Sequence, residues 1–418
     1  MKYAVITFGC RVNQADSLGF EEQLRGRGAI ASSPESADVV VVNTCSVTAT
    51  SDQGARQTIR RVARDNPNAK IVVTGCYATR RPDEVAGLPN VVRVLPNDDK
   101  PRLIPLILWK GEQTTADRFG FGDGACGAPI EPGVAGRTAY TLRVQTGCAE
   151  PCAYCIIPST RGAPRSVPLE EVLRDAERIA AAGFKEIALT GVHLGSYGRD
   201  LRPPSSLYEL LCNLADLPVL FRISSLEPMD CSLDIVDLVA ARASFAPHFH
   251  LPLQHASDRV LAAMRRPYTI EQYASLVDRV RAQIPDAAIG SDVIVGFPGE
   301  TDEEFGELVQ YLERSPLTHL HVFPYSDRPG TAASSMAEKV HGAVIRERAH
   351  RVREIGRCLS DRFHDRQIGR THRGLTLDDG SLVVTENYLK LRIAVAQPRN
   401  AWVRVRVTSH HDGELLAG

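Results

Sequence analysis

Three cysteines stand close together near the middle of the chain. Cys148-Ala149-Glu150-Pro151-Cys152-Ala153-Tyr154-Cys155 has the spacing C-x3-C-x2-C. With 10 cysteines in 418 residues, a chance match is expected about 0.006 times along the chain, so the spacing calls for a chemical reason. Three thiolates in one loop can hold three irons of a four-iron cluster and leave the fourth iron open. The competing reading is a zinc knuckle with a distant fourth ligand, although structural zinc takes a closed set of four, usually as close pairs. A second trio is spread out: Cys10, Cys45 and Cys76 are 35 and 31 residues apart, about one βαβ unit each. Each ends an apolar run of strand length, and the carboxyl ends of neighbouring parallel strands meet at one crevice. That would gather three distant thiols into a second three-ligand site. The alternative is three buried structural thiols, because free cysteine is often buried.

The elements around these residues read as an α/β protein in three parts. In residues 1–112 the apolar runs Lys2–Cys10, Asp38–Cys45, Lys70–Cys76 and Val91–Leu95 alternate with the helical stretches Asn13–Arg27 and Asp52–Asp65. Strand, helix, strand at this spacing predicts a parallel α/β domain. Gly111–Gly136 breaks the pattern with a Gly-rich, aperiodic stretch, so residues 113–133 read as a linker. Strands are then expected at Ala139–Thr146, Glu186–Thr190, Leu220–Ser224, Phe249–Leu253, Ala288–Val295 and Leu320–Tyr325, with helices such as Leu169–Ala182 and Asp302–Arg314 between. Six βα units over residues 134–364 make a partial (β/α)6 barrel, and Cys148 follows its first strand, where such folds place active sites. A charged helix, Gly342–Gly369, precedes four short β runs, Gly374–Leu377, Leu382–Thr385, Lys390–Val395 and Trp402–Thr408, which predict a small all-β barrel over 366–418.

Composition narrows the class. At 43% hydrophobic and 24% charged, the chain is neither disordered nor fibrous. The net charge of −1 means that any nucleic-acid site must come from a local patch. Two patches stand out. The helix before the β barrel carries Arg346, Arg348, Arg351, Arg353, Arg357, Arg362, Arg366 and Arg370 against Glu347, Glu354, Asp361 and Asp365, and Arg56, Arg60, Arg61 and Arg64 fall on one helical side. The competing reading is a solvated face with internal ion pairs. No apolar run reaches membrane-spanning length, and the first residues read as a strand instead of a leader, so a cytoplasmic protein with no membrane partner is expected. Disulfides are rare there, which turns the cysteines toward metal or redox chemistry. Cys126 in the Gly-rich loop, and Cys212, Cys231 and Cys358 in helical patterns, read as ordinary thiols. His250, His255, His319 and His321 flank strand ends, where they could face the barrel mouth, with a packed histidine the favoured reading for each. Asp292 and Glu300 read as cap or turn residues.

C-x3-C-x2-C with an aromatic before the third cysteine resembles the radical S-adenosylmethionine (SAM) superfamily. The N-terminal trio narrows the resemblance to the methylthiotransferases, through Asn43-Thr44-Cys45-Ser46-Val47-Thr48, Thr74-Gly75-Cys76, Cys155-Ile156-Ile157-Pro158, Arg222-Ile223-Ser224-Ser225-Leu226-Glu227-Pro228, Met264-Arg265-Arg266 and Asp292-Val293-Ile294-Val295-Gly296-Phe297-Pro298-Gly299-Glu300-Thr301. Gly191-Val192-His193-Leu194-Gly195-Ser196-Tyr197-Gly198 and His321-Val322-Phe323-Pro324-Tyr325-Ser326 look most like the MtaB type, which acts on N6-threonylcarbamoyladenosine beside the tRNA anticodon. The resemblance implies two 4Fe–4S clusters, held by Cys148, Cys152 and Cys155 and by Cys10, Cys45 and Cys76. It also implies SAM, with Tyr154, Arg161, Thr190, Ser224 and Glu227 as contacts. One SAM would methylate sulfur at the N-terminal cluster, and another would give the radical that removes the hydrogen at C2 of the base. Many superfamily members carry Gly-Gly-Glu after the second strand; Thr190-Gly191-Val192-His193 stands there instead, so the SAM amine must find another contact. Implied partners are a tRNA anticodon stem-loop, a flavodoxin-like or ferredoxin-like electron donor and a sulfur source. The C-terminal β region resembles the RNA-binding TRAM domain, where Tyr388 and Trp402 are candidates either to stack on bases or to fill the core. Rival readings are a methylthiotransferase for isopentenyladenosine in tRNA or for a ribosomal-protein aspartate, and a non-catalytic iron–sulfur RNA sensor.

Overall fold

The computed structural model describes residues 1–108, 132, 138–411 and 413–417. The linker expected at 113–133, and Cys126 within it, lie outside the described residues. The N-terminal sheet comprises β1 (Lys2–Thr7), β2 (Ile30–Ala31), β3 (Val39–Thr44), β4 (Lys70–Gly75) and β5 (Val91–Leu95), all parallel, in the order β2-β1-β3-β4-β5. β3 is buried along its whole length because helices cover both faces, as an apolar run in a parallel sheet requires. Val40 and Val42 face Ile59 on helix Ala49–Asp65; Val39 and Val41 face Phe20 and Leu24 on helix Arg11–Gly26. Helix Ala49–Asp65 starts at Thr48, whose hydroxyl accepts the Ser51 N–H, an ordinary N-cap.

The central unit holds β6 (Tyr140–Arg143), β7 (Gln145–Thr146), β8 (Arg165–Ser166), β9 (Glu186–Thr190), β10 (Leu220–Ile223), β11 (His248–His250), β12 (Ala288–Val295) and β13 (His319–Pro324). β6, β9 and β10 form one parallel stretch, and β11, β12 and β13 another. A Phe221–Phe245 bridge joins them, completing the six-stranded partial barrel. The first expected strand is in fact two: it breaks at Val144, and β7 leaves the barrel to pair with β8 in an antiparallel hairpin. Helix Asp302–Arg314 carries a capping box, with Thr301 and Glu304 each satisfying the other's backbone N–H.

A partial barrel has two open edges. Helix Arg11–Gly26 packs on β6, and the long helix Gly342–Asp365 packs on β13. The segment after β13 also reaches the N-terminal sheet: Arg328 donates to the Ser46 and Val47 carbonyls at 2.8 and 3.2 Å and pairs with Asp52 at 3.0 Å. Helix Cys76–Arg80, after β4, also packs against helix Ile157–Arg161, after β7, so segments at the carboxyl ends of both sheets touch.

Five strands, β14 (Thr371–Leu377), β15 (Leu382–Thr385), β16 (Lys390–Ile393), β17 (Trp402–His411) and β18 (Glu414–Ala417), close the C-terminal barrel in the order β14-β15-β16-β18-β17. Its turn at Thr385–Tyr388 docks on the central barrel. Fully buried Arg222 grips Glu186 with two hydrogen bonds of 2.8 and 3.1 Å and donates to the Glu386 carbonyl at 3.0 Å. The Tyr388 ring lies 4.8 Å from the Arg222 guanidinium and meets the His248 ring in a tilted contact, also at 4.8 Å, so this tyrosine serves the joint between barrels. Trp402 likewise lies under Arg373, at 4.3 Å. No helix of the described residues is long and apolar enough to cross a membrane.

Candidate functional site

The N-terminal trio comes together at the crevice expected from the strand pattern. Cys10 caps helix Arg11–Gly26, Cys45 follows β3, and Cys76 opens helix Cys76–Arg80 directly after β4. Two glycines make this approach possible. A Cβ on Gly9, at φ +88°, would lie 2.5 Å from the Cys45 Cβ, and one on Gly75, at φ +97°, would lie 2.2 Å from the Thr44 carbonyl. Burial pushes the Cys45 thiol up to about 11, and the thiols of Cys76 and Cys10 add to the rise. Cys76 is buried too, but Arg161 and Lys100 outweigh that burial and hold its thiol below the usual range. Asn97 Nδ2 donates to the Cys76 sulfur at 3.6 Å.

Behind Cys76 lies a buried charge network. Asp16 is 1% exposed and faces Lys100 at 2.5 Å, Arg161 at 3.6 Å and Arg143. Its carboxyl is held well below the usual carboxylate range, because the three cations overcome its burial. Three positive charges against one negative leave a positive surplus beside the trio. That suits a site where three thiolates must stay ionised.

The second trio sits in the loop that leaves β7 at the mouth of the barrel. Cys148 N–H donates to the Gly162 carbonyl at 3.0 Å, Ala153 N–H to Met264 at 3.0 Å, and Ala333 N–H to Ala153 at 2.7 Å, so the loop is pinned on three sides. Backbone N–H groups of Glu150 and Ile157 point at the sulfurs of Cys148 and Cys155, at 3.4 and 3.5 Å. Burial lifts the Cys155 thiol to about 12, and it raises Cys152 despite the opposing charge of Arg266. Cys45 and Cys76 are buried, Cys10 is exposed and the second trio is half-buried; neighbouring thiols that repel one another as thiolates and already meet N–H donors are relieved by a bound cation. Both trios fit three-thiolate cluster ligation on this ground.

Around the second trio the structure brings together some expected contacts and adds others. Arg266 donates to the Cys152 sulfur at 3.1 Å and pairs with Glu227. Tyr154 is half-buried near Arg266, packed with Phe297 and Ile294. Ser224, just past β10, has a buried hydroxyl with no partner among the described residues, and Thr190 is buried at the end of β9. His193 contacts Cys148, and its Nε2 lies 2.7 Å from Asp230. Burial would lower the imidazole, but Asp230 and Cys148 lift it to about 10. Gly195 makes room for this pair, since a Cβ there would lie 2.2 Å from the Asp230 Cβ.

Arg161 is the expected SAM contact that the structure puts elsewhere. It is 3% exposed, ends the short helix after Cys155 and turns toward Cys76 and Asp16. Helix Ile157–Arg161 packs against helix Cys76–Arg80, which brings Arg161 to the other trio. Sequence reasoning missed Arg266, His193, Asp230, Asp16 and Lys100 as site residues. For Arg266 and His193 a signal existed, since both lie inside quoted motifs. Asp16 and Lys100 look like ordinary surface charges in sequence.

Other expectations also shift. Cys231 follows a 3-10 turn, Pro228–Asp230, and is not helical; a helix starts only at Leu233. Glu300 is a loop clamp, accepting from Gly296 and Phe297 N–H at 2.7 and 3.2 Å and from Arg348 at 2.6 Å. His255 is fully buried and packed, as expected. His250, His319 and His321 instead converge inside the barrel, with Asp292 2.8 Å from His250. Part of the basic segment is engaged in internal contacts: buried Arg348 with Glu300, and the exposed Arg351 with Glu313, Arg362 with the Ser315 carbonyl and Arg370, past the helix end, with Asp286. Arg56 pairs with Glu84. Outward basic side chains stand on helix Gly342–Asp365, at Arg346, Arg353 and Arg357, on helix Ala49–Asp65, at Arg60, Arg61 and Arg64, and on the C-terminal barrel, at Lys390, Arg392, Arg404 and Arg406.

Comparisons with known proteins agree with this architecture. Residues 2–95 match the Uncharacterized protein family UPF0004, and residues 142–312 match the Radical SAM superfamily. The chain is 36% identical to a Threonylcarbamoyladenosine tRNA methylthiotransferase MtaB of Aquifex aeolicus, over 94% of this chain and 96% of that one. It is 31% identical to a tRNA-2-methylthio-N(6)-dimethylallyladenosine synthase of Carboxydothermus hydrogenoformans, over 88% and 86%. It is 33% identical to a Ribosomal protein uS12 methylthiotransferase RimO of Chloroflexus aurantiacus, over 91% and 90%. Among solved structures, a radical S-adenosylmethionine methyltransferase, TsrM, from Kitasatospora setae shares the fold, with a TM-score of 0.56 and 16% identity over 80% of this chain and 77% of that one.

Proposed function

Because the chain belongs to the methylthiotransferase family of radical SAM enzymes, we propose that it converts N6-threonylcarbamoyladenosine beside the tRNA anticodon to its 2-methylthio derivative. The observation that carries the reading is the contact between the segments that support the two cysteine sites. Arg161, from the loop of the second trio, touches Cys76, and Arg328, from the segment after β13, holds the Cys45 loop. Residues beside one three-thiolate site thus touch the other, which suits a reaction needing two clusters and one substrate.

The adenine C2–H is neither acidic nor electrophilic, so side-chain acid–base chemistry cannot activate it. When bound, SAM and two 4Fe–4S clusters supply the radical that removes this hydrogen and the methylthio group that replaces it. The chain's own residues hold and position. Cys148, Cys152 and Cys155 would hold the radical-generating cluster, with Arg266 and two backbone N–H groups donating to the sulfurs. Tyr154, Ser224, Thr190 and Glu227 line that mouth as cofactor contacts. Cys10, Cys45 and Cys76 would hold the second cluster, and Arg161 and Lys100 offset the charge of its thiolates. The substrate loop would meet the C-terminal barrel through its basic strands, since phosphate contacts position an RNA. A flavodoxin-like or ferredoxin-like donor and a sulfur source complete the partners.

The test offers purified, reconstituted enzyme three substrates: threonylcarbamoyl-tRNA, dimethylallyl-tRNA and ribosomal protein uS12. Methylthiolated nucleoside from the first alone is expected. Product only on dimethylallyl-tRNA rejects the substrate and keeps the chemistry, and product only on the ribosomal protein rejects tRNA altogether.

A further inference from the structure

The histidines inside the barrel belong to neither cysteine site. His250 ends β11, Asp292 lies on β12, and His319 and His321 lie on β13. Gly290 on β12 is opposite both His250 and His319, and Asp292 is opposite His321. Side chains alternate along a strand, so His250, Asp292, His319 and His321 all project from the one face, into the barrel. One ring nitrogen from each histidine lies within 4.8 Å of the others. Two groups orient the rings: Asp292 at 2.8 Å from His250 Nε2, and the Thr318 hydroxyl at 3.0 Å from His319 Nδ1. A Cβ on Gly290 would lie 2.0 Å from His319 Nε2, so the missing side chain is what admits the ring.

The cluster lies under the barrel mouth. The next inward residue along β12, Ile294, packs with Ala153 of the Cys148–Cys155 loop. One alternation of two residues is about 7 Å, which sets the histidines one layer beneath the cysteine loop. His321 is exposed and His250 and His319 are half-buried, so the layer is open to a ligand. Burial, helped by the neighbouring imidazoles, pushes His319 down to about 3, and burial also lowers His321. Neutral imidazoles each offer one donor and one acceptor.

In adenine, C2 and N6 share the Watson–Crick edge with only N1 between them. A base held with C2 toward the cysteine loop therefore carries any N6 substituent within a few ångström of the reacting carbon. We propose that His250, Asp292, His319 and His321 form the subsite for that substituent, and that they select a carbamoyl group bearing hydroxyl and carboxylate over an apolar alkenyl group. The proposal rests on the tRNA reading above. Imidazole N–H groups can donate to the substituent's carboxylate and carbonyl, while imidazole acceptors and Asp292 can take its N–H and hydroxyl protons. An alkenyl group would leave the same groups unpaired, and this kind of mismatch gives the strongest discrimination a pocket can offer.

The test uses reconstituted holoenzyme and the ratio of kcat/KM on threonylcarbamoyl-tRNA to that on dimethylallyl-tRNA. His321→Leu and His319→Leu should each lower this ratio by about tenfold or more, and His321→Gln, which keeps a donor and an acceptor, should recover most of it. Iron content and melting temperature establish that each variant is folded and loaded. Where a variant does not fold, wild-type enzyme is titrated with anticodon stem-loops bearing adenosine, its threonylcarbamoyl form or its dimethylallyl form, with tightest binding expected for the second. An unchanged ratio in folded variants, or equal binding of the three stem-loops, overturns the proposal. So does stoichiometric zinc in the wild-type enzyme that His321→Leu abolishes, since the imidazoles would then be metal ligands. Wild-type enzyme that modifies only dimethylallyl-tRNA or only the ribosomal protein brings down the substrate reading itself, a result visible before any variant is made.

Discussion

Asp16→Asn tests the charge network that joins the N-terminal sheet to the barrel. The substitution keeps size and removes the carboxylate facing Lys100, Arg143 and Arg161, leaving the Cys76 sulfur as a partner of Lys100 and Arg161. Lys100 and Arg161 are 7% and 3% exposed and cannot rehydrate, whereas Arg143, at 18%, partly can. Breaking a buried pair costs about 3–5 kcal/mol, and with one partner able to recover water the lower half of that range, about 3–4 kcal/mol, is expected. The pH dependence has a definite sign. The Asp16 carboxyl is held below its usual range in the folded protein, so its contribution is complete above the unfolded value near 3.9 and is lost as pH falls. The gap between wild type and variant should therefore be constant from pH 7 to about 5, and then narrow by about 1.4 kcal/mol per unit below 4. A chain of several units does not unfold in one step, so the suitable assay is native-state hydrogen exchange at β1 and β3 amides. A gap below about 1 kcal/mol at pH 7, or one that stays constant down to pH 3, would refute the reasoning.

Three further outcomes follow from the geometry. Arg161→Gln removes a buried positive charge beside Cys76; at an effective dielectric of 20 and about 6 Å, this is worth about 3 kcal/mol, so the midpoint potential of the N-terminal cluster should fall by roughly 100 mV while the other stays put. Gly9→Ala forces a Cβ into Cys45 at a left-handed φ, so reconstituted protein should lose about half its iron, read by iron analysis. The double variant Arg404→Glu/Arg406→Glu should weaken tRNA binding and reduce the log–log salt slope by about 2, measured by filter binding across salt concentrations.

The parts of the fold legible in the sequence were those fixed by local pattern. Val91–Leu95, Glu186–Thr190, Ala288–Val295 and Asp302–Arg314 have the expected bounds, because apolar runs and a Thr301–Glu304 cap mark them locally. Ile30–Ala31 and Glu414–Ala417 were not legible: each is a short strand that exists only through its neighbours in the sheet. The site shows the same division. Cysteine spacing reveals both trios, since chain connectivity and strand order alone bring them together. Arg161 was readable as a functional residue but not as a partner of Cys76, because docking between units decides that contact. The lumen histidines alternate with apolar residues, as solvent-facing residues do, and nothing in the pattern distinguishes the inside of a barrel from water.

The most direct test of the account separates its two cysteine sites. In a Cys10→Ala/Cys45→Ala/Cys76→Ala variant, the loop holding Cys148, Cys152 and Cys155 keeps its own pinning hydrogen bonds to Gly162, Met264 and Ala333. Reduced, reconstituted variant should therefore still cleave SAM to 5′-deoxyadenosine and retain about half the wild-type iron, while nucleoside mass spectrometry of its tRNA finds no methylthiolated product. Normal methylthiolation by this variant would contradict the division of labour between the two sites.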